Sequence, residues 1–198
     1  MLNLVLFGKP GSGKGTQANF LKDKYDLIHI STGDVFRKNI KNQTELGVKA
    51  QGYTQNGELV PDDVTVSMLE NEIKQNLPCN GFIFDGFPRT LNQADEMNKI
   101  LFKYKMELSA IVALEVDDDL LTDRLLKRGL ISGRSDDQSR EKILTRLNEY
   151  RNKTEPLIDY YSKINRFHSV SGVGEINEIS SRLLDLIESV SQWQKIIL

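Results

Sequence analysis

The sequence predicts an α/β fold, a five-stranded parallel sheet with helices on both faces. Three features carry this expectation. Short apolar runs, LNLVLF (2–7), LIHI (27–30), GFIFD (81–85), AIVALEV (110–116) and FHSV (167–170), alternate with longer segments of helical periodicity. A glycine-rich turn, GKPGSGKGT (8–16), joins the first run directly to a helical pattern. The closing segment 175–190 spaces its Ile and Leu residues along one helix face, ready to pack on a sheet. Parallel strands read as continuous apolar runs, and each crossover between them needs a dozen or more residues. Ligands of such a sheet bind at the C-terminal ends of its strands.

In chain order, the first run is a buried strand that feeds the glycine turn, and TQANFLKDKY (16–25) leaves the turn as a helix. LIHI is the second strand. Residues 31–62 then break the rhythm, being polar, glycine-containing and helical in part, and read as an insert over the site. GFIFD ends its strand on Asp85, and AIVALEV is the fourth strand. Residues 129–137 (GLISGRSDD) read as a loop between helices and as a second, shorter insert. FHSV is the last strand, and the tail QWQKIIL (192–198) carries no motif.

A chain of 198 residues with 39% apolar and 27% charged residues, free of low-complexity tracts, fits one globular domain spanning 1–198. No apolar run approaches the roughly 20 residues of a membrane helix, and the opening MLNLVLFG is too short and uncharged for a signal peptide. No membrane partner and a cytoplasmic location are expected. A lone Cys79 excludes an internal disulfide and a four-cysteine zinc site, and reads as a packing residue. A formal charge of −2 with scattered basic residues leaves no footprint for nucleic acid.

Gly8, Gly13 and Lys14 fit the G-x-x-x-x-G-K spacing of a phosphate-binding loop. There a glycine-rich turn aims backbone N–H groups at phosphate oxygens, the lysine adds a point charge, and the helix N-terminus favours the anion. The flanking strand and helix supply the required context, a P-loop NTPase fold. The general pattern places Ser or Thr directly after the lysine; here Gly15 intervenes and the hydroxyl is Thr16.

The string GKPGSGKGTQ resembles the phosphate loop of nucleoside monophosphate kinases, adenylate kinases in particular. STGDVFR (31–37), GELVPD (57–62), FDGFPRT (84–90) with Gln93, DRLLKRG (123–129), GRSDDQ (133–138) and RLNEY (146–150) resemble that family's further motifs, in order and over residues 2 to 185. The resemblance implies reversible, Mg²⁺-dependent phosphoryl transfer from ATP to AMP, giving two ADP, by a monomer. It makes 31–62 an AMP-binding insert and 129–137 a short lid without zinc.

It also implies roles for single residues. Pro10, Gly11, Ser12, Gly13, Lys14, Gly15, Thr16, Arg124, Arg128 and Gly172 surround ATP, with Lys14 on the β and γ phosphates and Arg124 stacked on the donor base. Thr32, Gly33, Arg37, Glu58, Leu59, Val60, Gly86, Arg89 and Gln93 surround AMP, with Arg37 and Arg89 gripping its phosphate. Arg128, Arg134 and Arg146 are phosphate ligands that close over both nucleotides. Asp85 holds Mg²⁺ through its water shell.

These types suit the chemistry. Two nucleotides bring together roughly six negative charges, cut to about four by one Mg²⁺, so catalysis is mostly positioning and neutralisation. Arginine binds phosphate bidentately and keeps its charge. Arg124 and Arg128 lie four apart on one helix face, a like-charge pair that an anion or the carboxylates of Asp136 and Asp137 must compensate. His29 and His168 lie in apolar strands and are not expected as bases, because a phosphate oxygen is already ionised near neutral pH. Thr32 and Gln93 favour AMP as acceptor, where pyrimidine-specific relatives tend to have Ala and Asn. Two rival readings are a uridylate/cytidylate kinase and a catalytically silent nucleotide-sensing module.

Overall fold

The computed structural model describes the backbone of residues 1–197 and the side chains of residues 1–190; the motif-free tail lies outside the described side chains. Five strands, β1 (Leu2–Phe7), β2 (Ile28–Ser31), β3 (Gly81–Asp85), β4 (Ala110–Glu115) and β5 (Phe167–Ser171), pair in the order β2-β3-β1-β4-β5. Every pairing is parallel, as the apolar runs predict. Three strand limits differ slightly from the apolar runs. β2 lies one residue later than LIHI, β4 stops before Val116, and β5 runs on to Ser171.

The strands of this sheet alternate their side chains between two cores. From β1, Val5 and Phe7 enter one core with Phe82, Phe84, Ile111 and Ala113. Leu4 and Leu6 enter the other with Ile83, Ala110, Val112 and Leu114. The first face is covered by α4 (Asp62–Asn76), α5 (Leu91–Lys103) and α8 (Pro156–Ser162), through Leu69, Ile73, Met97, Leu101, Leu157 and Tyr161. The second is covered by α1 (Lys14–Tyr25) and α9 (Ile176–Ile197), through Ala18, Leu21, Ile179, Leu183 and Ile187.

The insert 31–62 contains α2 (Thr32–Lys41) and α3 (Glu45–Asn56), with a small core of Phe36, Ala50, Val60 and Met68. Side-chain caps start both helices: Ser31 accepts from the Asp34 N–H and Thr44 from the Gly47 N–H. The second insert is carried by α6 (Asp118–Ser132) and α7 (Arg140–Glu149), which pack through Leu121, Leu125, Ile143 and Leu147.

Residues 129–137 are not the simple loop that their glycines suggest. Helix α6 continues through Ser132 and ends on Gly133 in the left-handed region (φ 66°), and one 3-10 turn covers Ser135–Asp137. Gly129 is a close-approach glycine instead of a helix breaker. A Cβ there would lie 2.6 Å from the Asp137 carbonyl oxygen, so its absence lets the 3-10 turn fold back on the helix. No helix among the described residues is long and apolar enough to cross a membrane.

Candidate active site

A cavity of about 890 Å³ opens where β1, β2 and β3 end, with Phe7, Ser31 and Asp85 in its wall. The phosphate loop, the insert 31–62, the start of α5 and the helices α6 and α7 complete it. The two inserts meet across this space: Arg134 Nη2 lies 3.5 Å from Asp34 Oδ1, and a Cβ on Gly57 would lie 2.8 Å from Arg146 Cγ.

The loop wraps the first turn of α1. Gly13 sits at φ 98°, a left-handed conformation that turns the chain into the helix, and α1 has no side-chain cap. Its first N–H groups are therefore available to an anion. The Lys14 ammonium donates to the carbonyls of Gly8 (2.5 Å) and Lys9 (3.0 Å). Although Lys14 keeps some surface within the cavity, burial pushes its pKa down to about 8, against the pull of Asp85. Burial works against the charge of Asp85 as well, but His29, Lys14 and Arg89 outweigh it and hold that carboxyl below its ordinary value.

Of the sequence-predicted residues, Pro10, Gly11, Gly13, Lys14, Gly15, Thr16, Arg124 and Arg128 line the cavity. So do Thr32, Gly33, Arg37, Glu58, Leu59, Val60, Asp85, Gly86, Arg89, Gln93, Arg134 and Arg146. Ser12 and Gly172 do not line it. Ser12 is buried beneath the loop, its carbonyl oxygen 3.3 Å from where a Cβ on Gly172 would sit, and Gly172 donates to the Glu115 carbonyl (2.8 Å).

Carboxylates hold several of the cations. Asp137, fully buried, accepts from Arg128 Nε (2.6 Å) and Nη2 (3.0 Å) and from Arg146 Nη1; Asp136 pairs with Arg146 at 2.9 Å. This is the compensation that the arginine spacing requires. Arg124 makes no ion pair among the described residues and faces the cavity. Asp34 accepts from Arg37 (2.5 Å). Arg89 is also brought below its ordinary pKa, to about 10, by burial and by neighbouring Arg146.

Several residues at the site carry no sequence assignment. His29 lies 3.6 Å from Asp85 Oδ2 and lines the cavity, because the β2–β3 register sets it opposite Ile83. Thr154 donates to the Arg89 carbonyl (3.0 Å) across 65 residues of chain. Asp62 accepts from Gln93 Nε2 at 2.7 Å. Asp34 alone had a local signal, an acid three residues before Arg37 in the helix that both share.

No group of three or more His, Cys, Asp or Glu residues able to hold a metal occurs among the described residues. A single half-buried, charged Asp85, 3.9 Å from a Cβ position on Gly15 of the loop, suits Mg²⁺ held through waters and nucleotide phosphates.

The adenylate kinase family model matches residues 6–166. An adenylate kinase from Flavobacterium psychrophilum is 55% identical over 190 residues, 96% of this chain and 100% of that protein. One from Flavobacterium johnsoniae is 54% identical over the same shares, and one from Porphyromonas gingivalis is 46% identical over 95% of this chain and 96% of its own. With a phosphate loop on an uncapped helix, a cavity walled by arginines at the strand ends and this likeness over nearly its whole length, the chain belongs to the adenylate kinase family.

Proposed function

We infer that this chain catalyses reversible transfer of the γ-phosphoryl group of ATP to AMP, giving two ADP, inside this one cavity. The observation that carries the reading is the gathering of Lys14, Arg37, Arg89, Arg124, Arg128, Arg134 and Arg146 around a single space at the strand ends. A site built for one nucleotide has no use for so much positive charge. Two sets of phosphates facing each other do.

In the step itself an oxygen of the AMP phosphate forms a bond to the γ-phosphorus while the bond from that phosphorus to the β,γ-bridging oxygen breaks, leaving ADP on both sides. Lys14 and the N–H groups of residues 13–15 take the charge on the donor's β and γ phosphates. Arg37 and Arg89 hold the acceptor phosphate in line, and Arg128, Arg134 and Arg146 spread the charge of the transferred group. Arg124, unpaired and facing the cavity, stacks on the donor base. Asp85 would hold Mg²⁺ through waters, and the ion, when bound, would neutralise charge on the donor phosphates.

Thr32, Gly33, Glu58, Leu59, Val60, Gly86 and Gln93 form the AMP pocket. Ser12 and Gly172 act on ATP only by shaping the loop. We assign 31–62 as the acceptor insert and 129–137 as a short lid; closure of both excludes water, which would otherwise take the phosphoryl group. The protein works as a cytoplasmic monomer, and analytical ultracentrifugation reads the oligomeric state directly.

Arg89→Ala tests the acceptor assignment. Its KM for AMP is expected to rise by at least about tenfold while the KM for ATP stays near that of the wild type. Unchanged AMP kinetics would remove Arg89 from the acceptor site.

A further inference from the structure

We propose that Asp62, which does not line the cavity, sets the acceptor's base specificity by locking the amide of Gln93 in one of its two orientations. Gln93 is 1% exposed, and both ends of its amide are already engaged. Its Oε1 accepts from the backbone N–H of Arg89 (2.8 Å), and its Nε2 donates to Asp62 Oδ1 (2.7 Å). The partners' chemistry fixes this orientation. A backbone N–H only donates and an ionised carboxylate only accepts, so the amide oxygen must face Arg89 and the amide nitrogen must face Asp62.

The lock is itself held in place. Asp62 Oδ2 accepts from Thr90 Oγ1 (2.8 Å) and Asn92 Nδ2 (3.0 Å), and the Thr90 hydroxyl also caps α5 by accepting from the Gln93 N–H (3.1 Å). On the other side, Thr154 Oγ1 donates to the Arg89 carbonyl (3.0 Å), which restrains the residue whose N–H holds Oε1. Gln93 reaches the cavity with one N–H and one lone pair still unused.

That remainder matches one kind of base edge. Adenine offers an amino donor beside a ring-nitrogen acceptor, which an amide in this orientation meets with its oxygen and its N–H. Hypoxanthine and guanine reverse the edge, with a carbonyl acceptor beside a ring N–H. To meet them the amide would have to turn over, setting its oxygen against the Asp62 carboxylate and its NH₂ against the Arg89 N–H. Both existing hydrogen bonds would become like-to-like contacts, so the lock rejects the reversed edge as well as favouring the correct one. The inference rests on the assignment of Gln93 to the acceptor base.

The experiment measures kcat/KM for AMP and for IMP, a purine of the same size with the reversed edge, using ATP as donor. The proteins are wild type, Asp62→Asn, Asp62→Ala and Gln93→Ala. Asparagine offers an amide that either orientation of Gln93 satisfies, and alanine removes the lock; Asp62 is half-buried, so neither variant strands a charge. Both Asp62 variants are expected to lower the AMP:IMP preference by about tenfold or more, with the KM for ATP within about twofold of wild type.

If Gln93→Ala collapses the preference and neither Asp62 variant does, the lock is wrong. If Gln93→Ala also leaves it intact, the base-reading assignment of Gln93 fails as well. Equal rises in both KM values, with lowered thermal stability and an unchanged AMP:IMP ratio, would make Asp62 a helix staple and overturn the proposal.

Discussion

Replacing Lys14 by methionine lowers kcat about a thousandfold and leaves the fold intact. The ammonium is held by the carbonyls of Gly8 and Lys9 beside Asp85, and no second cation occupies that position in the loop. Methionine keeps the length and the apolar stem but neutralises the group, so circular dichroism and thermal unfolding should remain those of a folded protein. Wild-type turnover in the variant would refute the role.

A pH dependence accompanies this residue. Burial lowers the pKa of Lys14 from 10.5 to about 8, so between these values the unfolded chain holds a proton that the folded one has released. The ligand-free protein therefore gains stability from this group as pH rises through that interval, the reverse of a lysine that gains a partner on folding. ATP binding follows the opposite trend. Donor phosphates favour the ammonium, and their own last ionisation lies near about 6, so above pH 8 the KM for ATP rises as Lys14 loses its charge. Steady-state kinetics over this range should show that rise in the wild type and a flat profile in Lys14→Met.

Asp137→Ala costs about 3 kcal/mol of stability, equivalent to a fall in Tm of about 6–12 °C for a chain of this size. Asp137 is 0% exposed and accepts from both Arg128 and Arg146, which otherwise face each other as like charges. Removing the carboxylate leaves Arg128 without its ion pair and Arg146 with Asp136 alone, beside a buried turn. Breaking a fully buried pair costs about 3–5 kcal/mol; the lower figure applies because the Arg128 side chain keeps 35% of its surface and water partly compensates. Asp136→Ala leaves Asp137 in place and costs less. Thermal unfolding of the two variants distinguishes them, and equal losses would show that Asp137 is not the centre of the cluster.

Most of the sheet was legible because a parallel strand covered on both faces must be apolar throughout. Val5 and Leu6 point to opposite cores, yet both are buried. The phosphate loop was legible for a different reason: backbone geometry demands glycine at positions such as Gly13, and the demand shows as a pattern. The arginines were visible as types and spacings, and Asp136 and Asp137 as carboxylates to compensate them; which arginine each one holds became visible only once the chain had folded.

What stayed hidden depends on contacts between distant parts of the chain. Gln93 and Asp62 are 31 residues apart and meet only because α4 and α5 start side by side; Thr154 and Arg89 are 65 apart. His29 approaches Asp85 through strand register alone. The segment 129–137 reads as a loop from its glycines, but Gly129 lies inside α6 and serves close approach to the Asp137 carbonyl, not a break in the helix.

The central claim is that this one cavity joins ATP to AMP. A coupled assay with ATP and Mg²⁺ over AMP, dAMP, CMP, UMP and GMP tests it most directly. AMP is expected to be the preferred acceptor, with two ADP formed for each AMP consumed and negligible ATP loss when no acceptor is present. Preference for CMP or UMP, or ATP turnover that ignores the acceptor, would contradict it.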